Sequence, residues 1–194
     1  MKGNFVYFRR PAMAALLLVA SCVATAADLR DVVVERNEDR YHLRSETWFN
    51  ASAEELYRVL TNYDLFVKFT SAFVESRNLE PGADGRPRFY TRMEGCVLLF
   101  CKSFERHGHL LLQPMREIVA IVDPNKSDFK YSRESWRLVP EGEGTLLIYN
   151  FDMVPSFWVP PVIGPYYIKR TLREGGVDAV DRIEALAQGR EPKR

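Results

Sequence analysis

Three cysteines in 194 residues, one of them inside the first 26, are too few to staple a small scaffold, so a hydrophobic core has to hold this chain together. Cys96 and Cys101 cannot by themselves supply the four ligands of a structural zinc site. Histidine is equally scarce: His107 and His109 stand two apart and share one strand face, but no third metal ligand is evident, and no metal is expected. The chain contains no GxSxG, HExxH, CxxC, P-loop or GxGxxG, so it carries no catalytic or cofactor signature, and no cofactor is expected. Charge of one sign is also lacking, with 27 Lys and Arg against 26 Asp and Glu. The nearest basic stretches, Arg86 to Arg92 and Lys169 to Arg173, are short and broken by apolar residues, which argues against a nucleic-acid partner. No uncharged run reaches the ~20 residues a membrane-spanning helix needs, and no repeat or linker divides the chain.

What is present starts with a leader. Lys2, Arg9 and Arg10 precede an apolar run from Ala12 to Val23, and the small residues Ala24-Thr25-Ala26 suit signal peptidase. The expected organisation is a signal peptide over 1–26, one domain over 27–189 and a disordered tail over 190–194, with export to the periplasm or beyond. Val19-Ala20-Ser21-Cys22 loosely matches a lipobox, which leaves a lipoprotein anchored at Cys22 as an alternative. Loss of the leader removes three basic residues and leaves 24 against 26 acidic ones.

The stretch Ser45 to Phe69, SETWFNASAEELYRVLTNYDLFVKF, reads as a strand running into a capped helix. Ser52 and Glu55 form the capping-box pair, Leu56, Val59 and Leu60 recur at helical spacing, and Asn62 and Asp64 break the helix before a short aromatic second one. Strand patterns follow over Asp31 to Glu35, Tyr41 to Phe49, Phe73 to Leu79, Arg86 to Glu94, Lys102 to Leu112, Arg116 to Val122, Lys130 to Val139 and Thr145 to Val154. Short turns such as Pro81-Gly82-Ala83-Asp84-Gly85 join them, so antiparallel pairing is expected. Pro155 to Pro161 interrupts both sheet and helix. Gly164-Pro165 then opens a long helix whose apolar stripe is Ile168, Leu172, Val180, Ile183 and Ala187. Gly175-Gly176 in its middle marks a kink, a close backbone approach or a bulky neighbour.

The two mature cysteines allow two readings. Five extended residues span about 16 Å, whereas bridged Cα atoms sit about 4.4–6.8 Å apart. A disulfide between Cys96 and Cys101 therefore requires the chain to reverse over Val97-Leu98-Leu99-Phe100; otherwise the segment is one continuous buried strand with free thiols.

The order of strand, two short helices, antiparallel strands and a closing helix resembles the helix-grip fold of the START-like (SRPBCC) superfamily, the group of polyketide cyclases and coenzyme Q-binding proteins. The resemblance rests on FNASAEELYRVLTNYDLFVKF with its Tyr63-Asp64 pair, on Ser135-Trp136-Arg137-Leu138 followed by Gly144-Thr145 and Tyr149, and on the proline elbow Phe157-Trp158-Val159-Pro160-Pro161. It implies an α+β domain in which a curved antiparallel sheet of about seven strands wraps a long C-terminal helix and leaves an apolar cavity. Alternation along the strands, with the closing helix, nominates Phe89, Met93, Phe104, Trp136, Tyr149, Phe151, Ile168, Thr171 and Leu172 as its lining. Trp158 lies at its rim, and Glu134, Tyr149 and Tyr167 are its polar handles. The expected function is an exported, monomeric carrier of a hydrophobic small molecule, lipid or quinone-like, with transient membrane contact. The alternatives are a cyclase or aromatase in which Glu134 or Tyr149 moves protons, and a pocketless domain that docks a partner.

Overall fold

The computed structural model describes residues 27–97, 100–161 and 164–192. Residues 1–26, where the leader and Cys22 are expected, and two residues of the expected hairpin tip, 98 and 99, lie outside the described residues. Ten elements of regular structure lead the description: β1 (Asp28–Asn37), β2 (Arg40–Phe49), α1 (Ala53–Leu60), a 3-10 helix (Tyr63–Lys68), β3 (Phe73–Leu79), β4 (Arg88–Val97), β5 (Phe100–Gln113), β6 (Glu117–Val122), β7 (Phe129–Glu141) and β8 (Gly144–Pro155). A three-residue 3-10 turn, Pro124–Lys126, sits between β6 and β7, and α2 (Gly164–Ala187) closes the chain. The sheet has eight strands where about seven were expected; the first begins at Asp28 and pairs with β2, with a register shift between Leu29 and Asp31.

Strand order is β1-β2-β8-β7-β6-β5-β4-β3, antiparallel throughout. β3 to β8 form a meander, and β2 closes onto β8, so the connection from β2 to β3 has to cross the sheet from one edge region to the other. α1 and the first 3-10 helix make that crossing. Ser52 caps α1 by accepting from Glu55 N–H while the Glu55 carboxylate accepts from Ser52 N–H at 2.7 Å, the reciprocal pair read from the sequence. Leu56, Val59 and Leu60 face the sheet, buried. Asn78 of β3 fixes the next turn: its Oδ1 accepts from Tyr63 N–H at 3.2 Å and its own N–H donates to Asp64 at 2.9 Å. That anchoring delivers the Tyr63 ring inward, stacked between Phe66 (4.0 Å) and Phe89 (4.2 Å).

Two hydrophobic clusters share the concave face. The larger joins α1, the 3-10 helix and the last turns of α2 through Leu56, Leu60, Phe66, Phe89, Trp136, Ile183 and Leu186. The smaller centres on Tyr41, Leu43, Phe129, Phe151 and Met153, with Phe104, Phe157, Ile168 and Leu172 packed against it. β4 and β5 are paired up to Val97 opposite Phe100, with Cys96 opposite Cys101. The chain therefore reverses between them, as a disulfide would require, and the continuous-strand reading is excluded.

α2 is unbroken through Gly175-Gly176, and a Cβ added at either position would meet nothing within 4 Å. Of the three readings of this pair, the close approach and the bulky neighbour are absent, since both positions face open space. Gly175→Ala and Gly176→Ala should each stabilise the domain by up to about 1 kcal/mol, because alanine restricts the unfolded chain and favours helix with no clash to offset it. Urea unfolding of the two variants checks this, and a loss of stability in either would mean that glycine is required there. The helix ends in a Schellman turn: Gly189 has φ +71°, Arg190 N–H donates to Ala185 C=O, and Gly189 N–H to Leu186 C=O. Among the described residues no helix is long and apolar enough to cross a membrane.

Candidate functional site

Inward positions on β5 are Phe104, Arg106, Gly108 and Leu110, set by the two-residue alternation of the strand. A Cβ on Gly108 would sit 2.4 Å from the Ile121 carbonyl oxygen and 2.5 Å from the Phe89 ring, so only glycine lets Phe89 lie flat across the strand. Arg106 is the largest fully buried side chain, 1% exposed. The β5 to β6 pairing ends at Gly108 opposite Val122, so β6 stops short of Arg106. On β7, Glu134 stands opposite Ala120, whose small side chain leaves the carboxylate room. Arg106 Nη1 reaches Glu134 Oε1 at 2.9 Å, both groups shielded from water.

Glu134 answers only part of the guanidinium. Among the described residues, Arg106 Nε and Nη2, the Tyr63 hydroxyl and Thr91 Oγ1 are buried without a hydrogen-bond partner; Thr91 stands directly opposite Arg106. Burial alone would lower the Arg106 pKa, but the fields of Glu134, Tyr63 and Tyr149 keep it above its ordinary value, so the group stays charged. Burial, reinforced by Glu134, pushes both the Tyr63 and Tyr149 phenols well above their usual range. Near neutral pH these groups are protonated, and the cluster presents several donors with few acceptors left to receive them. Orphaned buried donors cost free energy unless something bonds them.

The wall opposite this cluster is loose. From Pro165 to Ala179 no α2 side chain is fully buried, whereas Val180 and Ile183 to Ala187 are. Met93, Phe104 and Tyr149 on the sheet and Ile168 and Leu172 on the helix are partly buried, and all but Met93 pack against the smaller cluster. A cleft of about 480 Å³ is lined by Thr70 to Ala72, Glu94, Gly95, Thr171, Glu174, Gly175, Asp178 and Arg182; it is polar, and none of those five residues lines it. A second cleft, about 400 Å³, lies on the outer side of the sheet around Arg88, His107, His109 and Asp123. No three His, Cys, Asp or Glu residues among those described are grouped to hold a metal ion.

The residues nominated from sequence separate into four groups. Phe104, Tyr149, Ile168 and Leu172 pack, partly buried, against the smaller cluster, Met93 is partly buried on β4, and Glu134 is buried against Arg106. Phe89, Trp136 and Phe151 are inward but packed: Phe89 is 0% exposed beneath Tyr63, Trp136 meets Phe66 edge-on at 6.3 Å, and Phe151 belongs to the smaller cluster. Thr171 is exposed and borders the 480 Å³ cleft, and Tyr167 is half-buried against Tyr166. Trp158 stands in solvent at 78% exposure; it is Phe157 that turns inward, stacking on Phe104 at 4.5 Å. Arg106, Tyr63 and Thr91 were not nominated as polar handles.

A sequence profile of proteins described as polyketide cyclase / dehydrase and lipid transport matches residues 49–166, more than half of the chain. The chain belongs to this family. No curated protein shows significant sequence similarity to it. Among solved structures, the STAR-related lipid transfer protein from Xanthomonas axonopodis is 16% identical over 84% of this chain and 99% of that one, with a TM-score of 0.60. A START superfamily protein from Mycobacterium smegmatis is 19% identical over 75% and 98%, TM-score 0.60. The Zhui aromatase/cyclase from Streptomyces sp. R1128 is 14% identical over 77% and 94%, TM-score 0.59. At these identities the likeness establishes the helix-grip, START-like fold of a polyketide cyclase / lipid transport family member, and nothing about its ligand.

Proposed function

We propose that this protein is an exported carrier that holds a hydrophobic small molecule, lipid or quinone-like, between the concave sheet and the first half of α2. The observation that carries the reading is the unanswered donor set of Arg106, Tyr63 and Thr91, set in an apolar interior beside a helix segment with no fully buried residue. The ligand's polar end accepts from Arg106, and its apolar body lies along Met93, Phe104, Tyr149, Ile168 and Leu172. An electrically neutral acceptor such as a carbonyl suits the site best, since Glu134 already balances the guanidinium and a second carboxylate would be repelled. The cyclase alternative needs Glu134 or Tyr149 to exchange protons. Glu134 is tied to Arg106, and Tyr149 holds its proton well beyond the usual range, which favours binding over catalysis.

Export follows from the leader, with cleavage after Ala26 giving a periplasmic or secreted monomer. Exposed Trp158 and Tyr166, 78% and 64% accessible, are suited to brief contact with a membrane surface during loading. The register of Cys96 opposite Cys101 supports a disulfide that clamps the β4 to β5 hairpin. Mass measurement of the unreduced protein checks it, and two free thiols would end the idea.

The carrier reading is tested with N-phenyl-1-naphthylamine, a neutral apolar fluorophore, and long-chain competitors. Saturable fluorescence enhancement is expected, with a C12 ketone displacing the probe more effectively than dodecane. Arg106→Met combined with Glu134→Leu, which leaves no buried charge unpaired, should weaken the ketone about ten- to hundredfold, the worth of a hydrogen bond to a charged donor, while leaving dodecane unchanged. Failure of the probe and every competitor to bind would overturn the carrier reading.

A further inference from the structure

Glu184 is a buried carboxylate without a cationic partner. It lies on the last turns of α2, 6% exposed, and among the described residues no Lys or Arg forms an ion pair with it. Its two oxygens receive main-chain donors only: Oε1 accepts from Asn50 N–H at 2.9 Å, and Oε2 is 3.2 Å from the nitrogen of Ala27. The surroundings are ordered around it. Gln188, one turn on, donates to the Asn50 carbonyl at 2.7 Å, and β1 begins at Asp28, immediately after Ala27. Two neutral amides do not balance a buried charge, and an unpaired carboxylate in such a place is normally selected against.

Ala27 is also the residue that follows the small-residue site Ala24-Thr25-Ala26. We propose that Glu184 is the receptor for the α-ammonium group that appears on Ala27 when the leader is removed. Signal peptidase hydrolyses the Ala26–Ala27 peptide bond with one water. Ala26 keeps the carbonyl carbon as a carboxylate and leaves with the leader, and the Ala27 nitrogen becomes an amine that takes up a proton. A single amide donor facing Glu184 is thereby replaced by an ammonium with three donors and a full positive charge. The ion pair ties the start of β1, the end of β2 and the closing turns of α2 at one point. Those turns are the buried half of α2, so the ion pair fixes the end of the helix that is already seated. Processing then completes the fold, and the precursor is the less stable form.

The proposal rests on the export reading only for where the cut falls, and the two parts fail separately. Chains beginning at Ala27 with a free amine are compared with the same chains Nα-acetylated or extended by Gly-Ser, each with and without Glu184→Gln. The free-amine chain should melt about 2–4 °C above the blocked ones, and Glu184→Gln should erase the difference. Equal melting of free and blocked chains overturns the receptor role. Should Glu184→Gln fail to fold, labelling of the Ala27 amine by an acylating reagent at neutral pH replaces it. Labelling at least about tenfold slower in the native protein than in urea supports the pair, and equal rates overturn it. Amino-terminal sequencing of the exported protein tests the cut, and a start other than Ala27 overturns the processing half.

Discussion

Arg106→Ala should destabilise the domain by about 3–5 kcal/mol in urea unfolding, among the largest losses any single substitution here can cause. The cost comes less from the attraction lost than from what stays behind. Glu134 would be left without a partner in an interior where it is 5% exposed, its 2.9 Å contact gone. The guanidinium also fills space, lying 5.8 Å from the Phe89 ring centroid and 5.6 Å from that of Phe151, so alanine leaves a cavity beneath both. Removing both charges has a different sign. Arg106→Met with Glu134→Leu eliminates the desolvation of two ions and keeps the volume, and it should recover most or all of the loss. The double-mutant cycle measures this, and an Arg106→Ala penalty below about 1 kcal/mol would mean that water reaches the pair. A protein selected for stability alone would favour the apolar pair. The charged pair, with Nε and Nη2 unanswered, is therefore the position at which the proposed carrier role is tested.

The same residue shows how far the sequence could be read. Phe104 was placed on the inner face by alternation, and Leu110, six residues on, falls on that face as well; Arg106 and Gly108 lie between them on the same parity and had to share it. The signal was present, but residue type suggested solvent, and only a preference for the period over the chemistry would have found the pair. Local signals fared well where they were self-contained. The Ser52 and Glu55 cap and the strand over Phe73 to Leu79 depend on a few adjacent residues, and both appear as read. Trp158 sits in a proline-rich elbow with no period, so nothing local says which of Phe157 and Trp158 turns inward. The stripe along α2 has one spacing throughout, yet Ile168 and Leu172 are half-buried whereas Val180 and Ile183 are fully so. Depth of burial depends on what stands opposite, and that is written in other strands.

Phe66→Ala should cost about 3–5 kcal/mol, the range for deleting a fully packed aromatic ring. Phe66 is 3% exposed at the centre of an aromatic set: Tyr63 stacks on it at 4.0 Å, Phe69 lies at 4.4 Å, and Phe73 and Trp136 meet it edge-on at 5.7 and 6.3 Å. These contacts join the short 3-10 helix to β3 and β7, and a six-residue helix of this kind has no stability of its own. Its position therefore depends on the ring. Phe66→Leu, which keeps most of the apolar volume but loses the stacking geometry, should cost roughly 1–2 kcal/mol, since aromatic pairs add about 0.5–1.5 kcal/mol beyond their area. The substitution also reaches the site, because Tyr63 is held from one side by Phe66 and from the other by Phe89. Ketone affinity should fall in Phe66→Leu at a temperature where the variant remains folded, as the Tyr63 hydroxyl loses its fixed position. Unfolding and probe displacement on one preparation separate the effects, and an Ala variant within 1 kcal/mol of the parent would show that this helix is not held by its aromatic contacts.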